Sequence, residues 1–346
     1  MQPPGGSGKG RGVTKQKAPE PIGTVARRLR ILKPAAAALT EAQHRLANTS
    51  VSIFGETATA RDAAFIAREL VQASLPHSNP GDKPLWTRHN GNVTLAIQPG
   101  MNIQTGKSYG YPYGTIPRLL LFWMTTEALR TQSRRLELGH SLSGFMTDLG
   151  LSPDTGGGKR GDAKRLREQM ERLFRSRFSL ERYETDGSRS GKGWLDMQVA
   201  PQGDLWWSVK QPNQAVLWGS WIELGEIFYA AITTAPVPVD MRALRALKRS
   251  PLALDLYAWL SYEAFRAHHS HKARFETWTQ LHGHMGGSYA DIDNFRKKVK
   301  GALRKIRVVY PGLRLGKKQG GVQVLPESFP AIQPRELLIR GPAVGL

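Results

Sequence analysis

The stretch that decides the fold is Tyr289-Ala-Asp-Ile-Asp-Asn-Phe-Arg-Lys-Lys-Val-Lys-Gly-Ala-Leu-Arg-Lys-Ile-Arg307. Its large apolar residues recur every three or four positions, as one face of an α-helix requires: Ile292, Phe295, Val299, Leu303 and Ile306. At about 100° per residue, four cations share a second face within an arc of about 80°: Lys297, Lys300, Arg304 and Arg307. The pattern therefore predicts one long helix that buries one side and presents cations on another.

Such a helix fits the major groove of B-DNA, where Arg, Lys and Asn read base edges and neighbouring cations hold phosphates. The predicted DNA contacts on this helix are Asn294, which lies at the margin of the cationic face, and Arg296, Lys297, Lys300, Arg304 and Arg307. Gly301 lies at the edge of the row, where a missing side chain allows close approach. The alternative is a solvated basic face without a partner.

Working outward, the segments around this helix follow one order of elements. They are helices over 241–247 and 252–267, a strand over 274–278, a helix over 278–285, the long helix, and a hairpin of 313–316 with 322–325. This order is typical of a winged helix. The wing carries Lys317 and Lys318, which we predict to contact phosphates.

The same order of elements occurs earlier in the chain. A helix begins at Thr115-Ile116-Pro117, a second ends at Gly150, a third runs from Asp162 to about Arg177, and strands over 179–183 and 194–199 flank a loop over 185–192. Backbone contacts to DNA are predicted at the start of the third helix from Lys159, Arg160 and Lys164. Because Glu168 and Glu171 are mixed among its cations, a salt-bridged surface is an equal alternative.

The composition favours a nucleic-acid partner. The 346 residues include 49 Lys and Arg against 28 Asp and Glu, a net charge of +21, and binding to phosphates releases condensed counterions. The absence of cysteine excludes disulfides, thiolate zinc sites and cysteine nucleophiles. No apolar run approaches the roughly 18 residues of a membrane-spanning helix, and the start lacks the apolar core of a signal peptide. We therefore expect a cytoplasmic protein without membrane contact.

The predicted fold is α+β, with tandem winged-helix domains, an extra N-terminal segment of helix and strand, and a disordered basic N-terminal arm. Within the extra segment, helices are predicted over 39–47 and 61–73 and a strand over 93–98. The predicted boundaries are 1–35 for the arm, 36–112 for the N-terminal segment packing on the first domain, 113–235 and 236–330 for the two winged-helix domains, and 331–346 for a C-terminal tail.

Enzymatic patterns are weak. Tyr109, Tyr111 and Tyr113 in Tyr-Gly-Tyr-Pro-Tyr-Gly are candidate nucleophiles for DNA strand transfer, but a packing segment explains them better. His282-Gly283-His284 is similar to the metal-binding pair of rolling-circle nicking enzymes, yet it lies in a predicted helix without an acidic partner. We expect no enzymatic activity, no cofactor and no metal. A rolling-circle tyrosine nicking enzyme and a DNA-binding transcriptional regulator stay open as alternatives.

Several motifs resemble plasmid-encoded RepA-type replication initiators. The motifs, which fall in the family's order, are Arg68-Glu69-Leu70-Val71-Gln72-Ala73, Leu85-Trp86-Thr87-Arg88, Gly91-Asn92-Val93-Thr94-Leu95-Ala96-Ile97, the run from Tyr111 to Leu121, and Leu142-Ser143-Gly144-Phe145-Met146. The resemblance covers roughly residues 60–330. It implies a theta-type initiator that binds repeated origin DNA (iterons), helps to melt the origin, and recruits the host replication initiator and the replicative helicase. A homodimer is a further possibility for such initiators.

Overall fold

The computed structural model describes residues 40–139, 141–153, 161–206, 219–286, 289 and 291–332. Over these residues the fold is α+β, as predicted. The helices are α1 (Glu41–Gly55), α2 (Arg68–Gln72), α3 (Ile116–Thr131), α4 (Leu142–Asp148), α5 (Asp162–Phe174), α6 (Glu226–Thr234), α7 (Met241–Leu247), α8 (Pro251–Ser270), α9 (Trp278–Met285) and α10 (Ile292–Val309). None of these helices combines the length and the apolar character needed to cross a membrane.

The strands are short and pair only in antiparallel fashion within the described residues. They are β1 (Ala63–Ala67), β2 (Trp86–Asn90), β3 (Val93–Gln98), β4 (Met101–Asn102), β5 (Lys107–Ser108), β6 (Arg135–Glu137), β7 (Arg177–Asp186), β8 (Arg189–Gln198), β9 (Gln202–Asp204), β10 (Trp221–Glu223), β11 (Pro236–Asp240), β12 (Arg274–Thr277) and β13 (Gly321–Val324). We use "first unit" for residues 113–235 and "second unit" for residues 236–330.

The first unit contains helices and a hairpin in the predicted order, but its sheets are built differently from a plain winged helix. The hairpin β7–β8 joins β3 and β2 in a four-stranded sheet of order β2-β3-β7-β8, whereas β6 pairs with β10. The loop expected over 185–192 is instead strand, because β7 and β8 continue until Asp186 pairs with Arg189. Gly187 has φ of 55°, which allows the two-residue turn that this pairing requires.

The second unit follows its predicted order more closely. Asp240 caps α7 by accepting a hydrogen bond from the Arg242 amide, and Ser250 caps α8. The strand β12 pairs with β13, and an isolated bridge joins Leu315 to Val324 beside them. The predicted hairpin therefore exists, although its first strand is reduced to this bridge.

In the N-terminal segment, half of the helix predicted over 61–73 is wrong. Ala63 to Ala67 form β1, which pairs antiparallel with β11, and only Arg68–Gln72 are helical. Four of the five β1 residues are buried. Alanine favours a helix in isolation, but pairing with β11 supplies backbone partners in a buried position, and this tertiary interaction overrides the local preference.

The N-terminal segment packs on both units and not on the first alone. The strand β3 pairs with β7 of the first unit, while α1 packs against α7 and α10 of the second. The Ser50 hydroxyl donates a 2.8 Å hydrogen bond to the Val308 carbonyl at the end of α10. Buried apolar residues from all three parts form one continuous core.

A buried ion pair lies where the three parts meet. Arg118 of α3 donates from Nε and Nη2 to the two carboxylate oxygens of Asp255 in α8, at 2.7 Å each. His77, which follows α2 in the chain, contacts Asp255 Oδ2 through Nε2 at 2.8 Å. Burying charge is costly unless it is paired in this way, so the geometry of the junction is strongly specified.

Two buried histidines lie in this region, and both are favoured in the neutral form. Burial lowers the pKa of His284 to about 4, although its Nε2 contacts the Val71 carbonyl at 2.6 Å. Burial also lowers the pKa of His77, more than its hydrogen bond to Asp255 raises it. For Asp255, burial raises the pKa, but the Arg118 charge and the hydrogen bonds from His77 and Arg118 outweigh it and lower the pKa below its usual value.

We expect the free energy of unfolding to fall as the pH is lowered from about 6.5 to about 4. In this window His284 binds a proton in the unfolded chain but not in the folded chain. It therefore contributes up to about one proton to the slope of the free energy of unfolding against pH. Urea unfolding at a series of pH values measures this slope. His284→Gln should flatten it, and His44→Gln, at an exposed position, should not. Equal slopes for wild type and His284→Gln would contradict the assignment.

The buried face of α10 is rotated from the predicted one. Phe295, Val299, Ala302 and Ile306 are buried, but Ile292 is 39% exposed and Leu303 is half-buried. The reason is tertiary: α10 packs against both α8 and α1, so two neighbouring helices decide which of its sides is buried.

The same substitution at two positions tests this rotated face. Ile306→Ala should lower the free energy of unfolding by about 2–5 kcal/mol, because it leaves a cavity in the core. Ile292→Ala should cost less than about 1 kcal/mol. Urea denaturation of both variants measures the difference. Equal losses in the free energy of unfolding would support the buried face predicted from the sequence.

Candidate nucleic-acid interface

The helix α10 begins and ends where local chemistry requires. The Asp291 carboxylate accepts a 2.6 Å hydrogen bond from the backbone N–H of Asn294, which caps the first turn. Tyr310 leaves the helical conformation at the other end, and its buried hydroxyl donates to the Phe329 carbonyl at 2.9 Å. The helix is thus anchored at both ends and along its apolar face.

The opposite side of α10 is cationic and exposed. All six residues predicted there to contact DNA are exposed to solvent: Asn294, Arg296, Lys297, Lys300, Arg304 and Arg307. Arg296 pairs with Asp293 at 3.0 Å, so its charge is partly neutralised. Among the residues that the structure describes, Lys297, Lys300, Arg304 and Arg307 form no ion pair with a carboxylate. Gly301 adds little bulk, since a Cβ there would meet only the Arg304 guanidinium at 3.9 Å.

A small cavity lies between the end of α10 and the segment that follows it. It has a volume of about 150 Å³ and is lined by three arginines, namely Arg304, Arg307 and Arg314. Arg314 Nη1 donates to the Pro311 carbonyl at 2.6 Å, which fixes this guanidinium beside the helix. Three guanidinium groups around a cavity of this size can hold an anion such as a phosphate. Arg314 is not among the contacts predicted from the sequence, because only folding brings it next to Arg304 and Arg307.

The two lysines of the predicted wing behave differently. Both Lys317 and Lys318 are exposed. The Lys318 ammonium lies over the Phe275 ring of β12, 4.1 Å from its centroid, in a cation–π contact. Lys317 has no such contact within the described part of the chain, so it extends freely from the hairpin.

The cations of the first unit are mostly paired with acids. Lys164 Nζ lies 3.9 Å from a Glu168 oxygen, and Lys192 of the hairpin pairs with Glu181 at 2.8 Å. Lys159 and Arg160 lie outside the described residues. The arrangement around Lys164 is the salt-bridged surface that the sequence left open as an alternative, whereas Arg177, Arg182 and Arg189 are exposed and form no ion pair among the described residues.

The tyrosines and histidines considered for enzymatic roles have structural contacts. Tyr111 is fully buried and donates a 2.6 Å hydrogen bond to the Lys83 carbonyl, while the Arg172 guanidinium lies over the Tyr113 ring at 5.2 Å. His284 is buried, and the His282 ring packs edge-on against Phe295. Within the described residues, no group of three or more His, Asp or Glu side chains is arranged to hold a metal ion.

Comparisons with known proteins place this geometry in context. No curated protein sequence matches the chain. A crystal structure of RctB domains 2–3 (RctB-155-483) is similar at 11% identity and a TM-score of 0.42, over 74% of this chain and 94% of that one. A crystal structure of selenomethionine derivatives of domains 2 and 3 of RctB has 12% identity, a TM-score of 0.42, and coverages of 72% and 93%.

A family model matches residues 111–280, from the buried Tyr111 to Gln280 in α9, and its description is plasmid encoded RepA protein. The matched span includes the motifs from Tyr111 to Leu121 and from Leu142 to Met146, and it ends before α10. Over these residues, just under half of its length, the chain matches the model of the plasmid encoded RepA protein family, as the resemblance in its motifs predicted.

Proposed function

We propose that the protein is a plasmid replication initiator that binds repeated origin DNA sequence-specifically, with α10 in a major groove. The observation that carries this proposal is the exposed face of α10, on which Lys297, Lys300 and Arg304 have no carboxylate partner among the described residues. An unneutralised row of cations on a rigid helix is suited to a polyanion, because each phosphate that it contacts releases counterions.

In this proposal the residues of the second unit divide into two roles. One set on α10 faces base edges, which specify the sequence: Asn294, Arg296, Lys297, Lys300 and Arg304. Arg307 and Arg314 hold a backbone phosphate in the small cavity, and Lys317 meets a second phosphate from the hairpin. The helices α8, α9 and α10 with β12 and β13 then act as a winged helix.

The first unit contributes an adjacent contact in this proposal. Lys159, Arg160 and Lys164 precede or begin α5 and would contact the DNA backbone, where the helix N-terminus also favours phosphate. Two DNA-binding units whose contacts lie about one helical turn of DNA apart suit a long repeated site better than a short operator.

The match of residues 111–280 to the RepA family model supports the rest of the proposal. The protein would promote origin opening and recruit the host replication initiator and replicative helicase, with a homodimer as one possible form. It would work in the bacterial cytoplasm on plasmid DNA, without a cofactor and without enzymatic activity of its own.

The double substitution Lys300→Glu with Arg304→Glu should weaken binding to origin DNA by about 3 kcal/mol or more, roughly 100-fold. Two lost phosphate or base contacts should also make the plot of log K against log salt shallower by about 1–2 units. Gel-shift titration at several salt concentrations measures both quantities.

Lys298→Glu with Lys305→Glu is the matched control. It makes the same change in charge on the same helix, but both residues lie outside the arc of the predicted contacts. We expect it to retain most of the affinity. Equal losses of affinity in the two double variants would show a general charge effect. Unchanged binding by Lys300→Glu with Arg304→Glu would contradict the binding of α10 in a major groove.

The absence of enzymatic activity has its own test. Incubation with supercoiled origin plasmid and Mg²⁺ or Mn²⁺ should yield no nicked circles and no covalent 5′-phosphotyrosine. The buried hydroxyl of Tyr111, already bonded to the Lys83 carbonyl, is the physical reason for this expectation at that residue. A protein–DNA adduct that Tyr109→Phe, Tyr111→Phe or Tyr113→Phe abolishes would instead establish the nicking enzyme.

A further inference from the structure

At the buried junction, Arg118 connects the two units through a guanidinium group whose N–H donors are all hydrogen-bonded. Arg118 uses all five of its guanidinium N–H donors. Two go to Asp255, Nη1 donates to the carbonyls of Pro76 and Gly114, and Nη2 donates to that of Leu75. A planar guanidinium with every donor occupied has one orientation, and the two oxygens of Asp255 are held with it.

A chain of ring contacts links this junction to α10. The His77 ring, hydrogen-bonded to Asp255, lies edge-on to Tyr289 with 6.0 Å between centroids. Tyr289 in turn packs against Phe295, with 5.4 Å between centroids. Phe295 is fully buried in the first turn of α10. The start of α10 is therefore connected to α3 of the first unit through His77 and Asp255.

The N-terminal segment tightens the same connection. Arg88 of β2 is buried, and its guanidinium lies 4.9 Å from the centre of the Trp86 ring. The β2 strand packs against α9 while its neighbour β3 pairs with β7 of the first unit. A hinge between the units would have to break these contacts together with the Arg118–Asp255 pair.

We propose that Arg118, Asp255 and His77 are positioning residues that hold α10 at one distance and angle from the first unit, so that the protein accepts a single spacing of its contacts on DNA. This inference rests on the proposed function, which it deepens. The three residues do not touch DNA. They act by preventing the second unit from moving relative to the first. Such a movement would be needed to bind a DNA site in which the spacing of the two contacts is changed.

The DNA test uses the origin site defined by footprinting and a derivative with five base pairs inserted at its centre. The insertion turns one contact to the opposite side of the duplex, so it should weaken wild-type binding at least about 30-fold. In His77→Ala and Asp255→Asn the ratio of the two dissociation constants should fall to less than about 5. His77→Gln retains a donor toward Asp255 but loses the ring contact with Tyr289, so its ratio should lie between those of wild type and His77→Ala.

A matched control removes an ion pair inside the first unit. Arg134 pairs with Glu223 at 2.7 Å, and both residues belong to that unit. Glu223→Gln should leave the wild-type ratio unchanged. Circular dichroism checks that each variant folds. Where Asp255→Asn does not fold, the comparison of His77→Ala with His77→Gln decides.

A second measurement needs no DNA. The chain has no cysteine, so Glu168→Cys in α5 and Lys298→Cys in α10 provide the only two sites for spin labels. The distance distribution between the labels should have one narrow peak in the wild-type background. It should broaden in the background of His77→Ala, broaden less in that of His77→Gln, and remain narrow in that of Glu223→Gln.

The outcomes separate this inference from the proposed function. If wild-type protein tolerates the insertion, or if His77→Ala and Asp255→Asn keep both the wild-type ratio and the narrow distribution, the positioning role is overturned while DNA binding stands. If wild-type protein does not bind origin DNA, the proposed function and the spacing role both fail, and the label distances still report whether the junction fixes the two units.

Discussion

The structure depends on the buried carboxylate of Asp255. It lies in α8, and its partners come from α3 of the first unit and from the segment that follows α2. A buried carboxylate without partners would cost several kcal/mol, and removal of one member of such a pair costs about 3–5 kcal/mol. The two units and the N-terminal segment therefore have to assemble together, because only their assembly satisfies this charge.

The charges of the protein are segregated in a way that fits the proposed function. Buried carboxylates are matched by arginines, as Asp255 is by Arg118 and Asp240 is by Arg242. On α10 the opposite holds, because Lys297, Lys300 and Arg304 face solvent without a carboxylate partner among the described residues. One helix thus presents a row of cations to a polyanion, whereas Lys164 and Lys192 of the first unit are paired with acids.

Local patterns predicted many elements well. The strand over 93–98 and the helix over 278–285 are present as expected, because turns and short alternating runs depend on neighbouring residues. The error at 61–73 has the opposite cause. The alanines of this run favour a helix locally, but pairing with β11, far along the chain, overrides that preference.

For the candidate site, the periodicity of 289–307 was sufficient to place a helix with a buried and a cationic side, since both depend only on spacing along one helix. It could not reveal that Ile292 is exposed, that Arg314 joins Arg304 and Arg307 around a cavity, or that Arg118 reaches Asp255. These features depend on contacts between residues distant in the chain. A single sequence carries no record of such contacts, and they exist only once the elements pack around a common core.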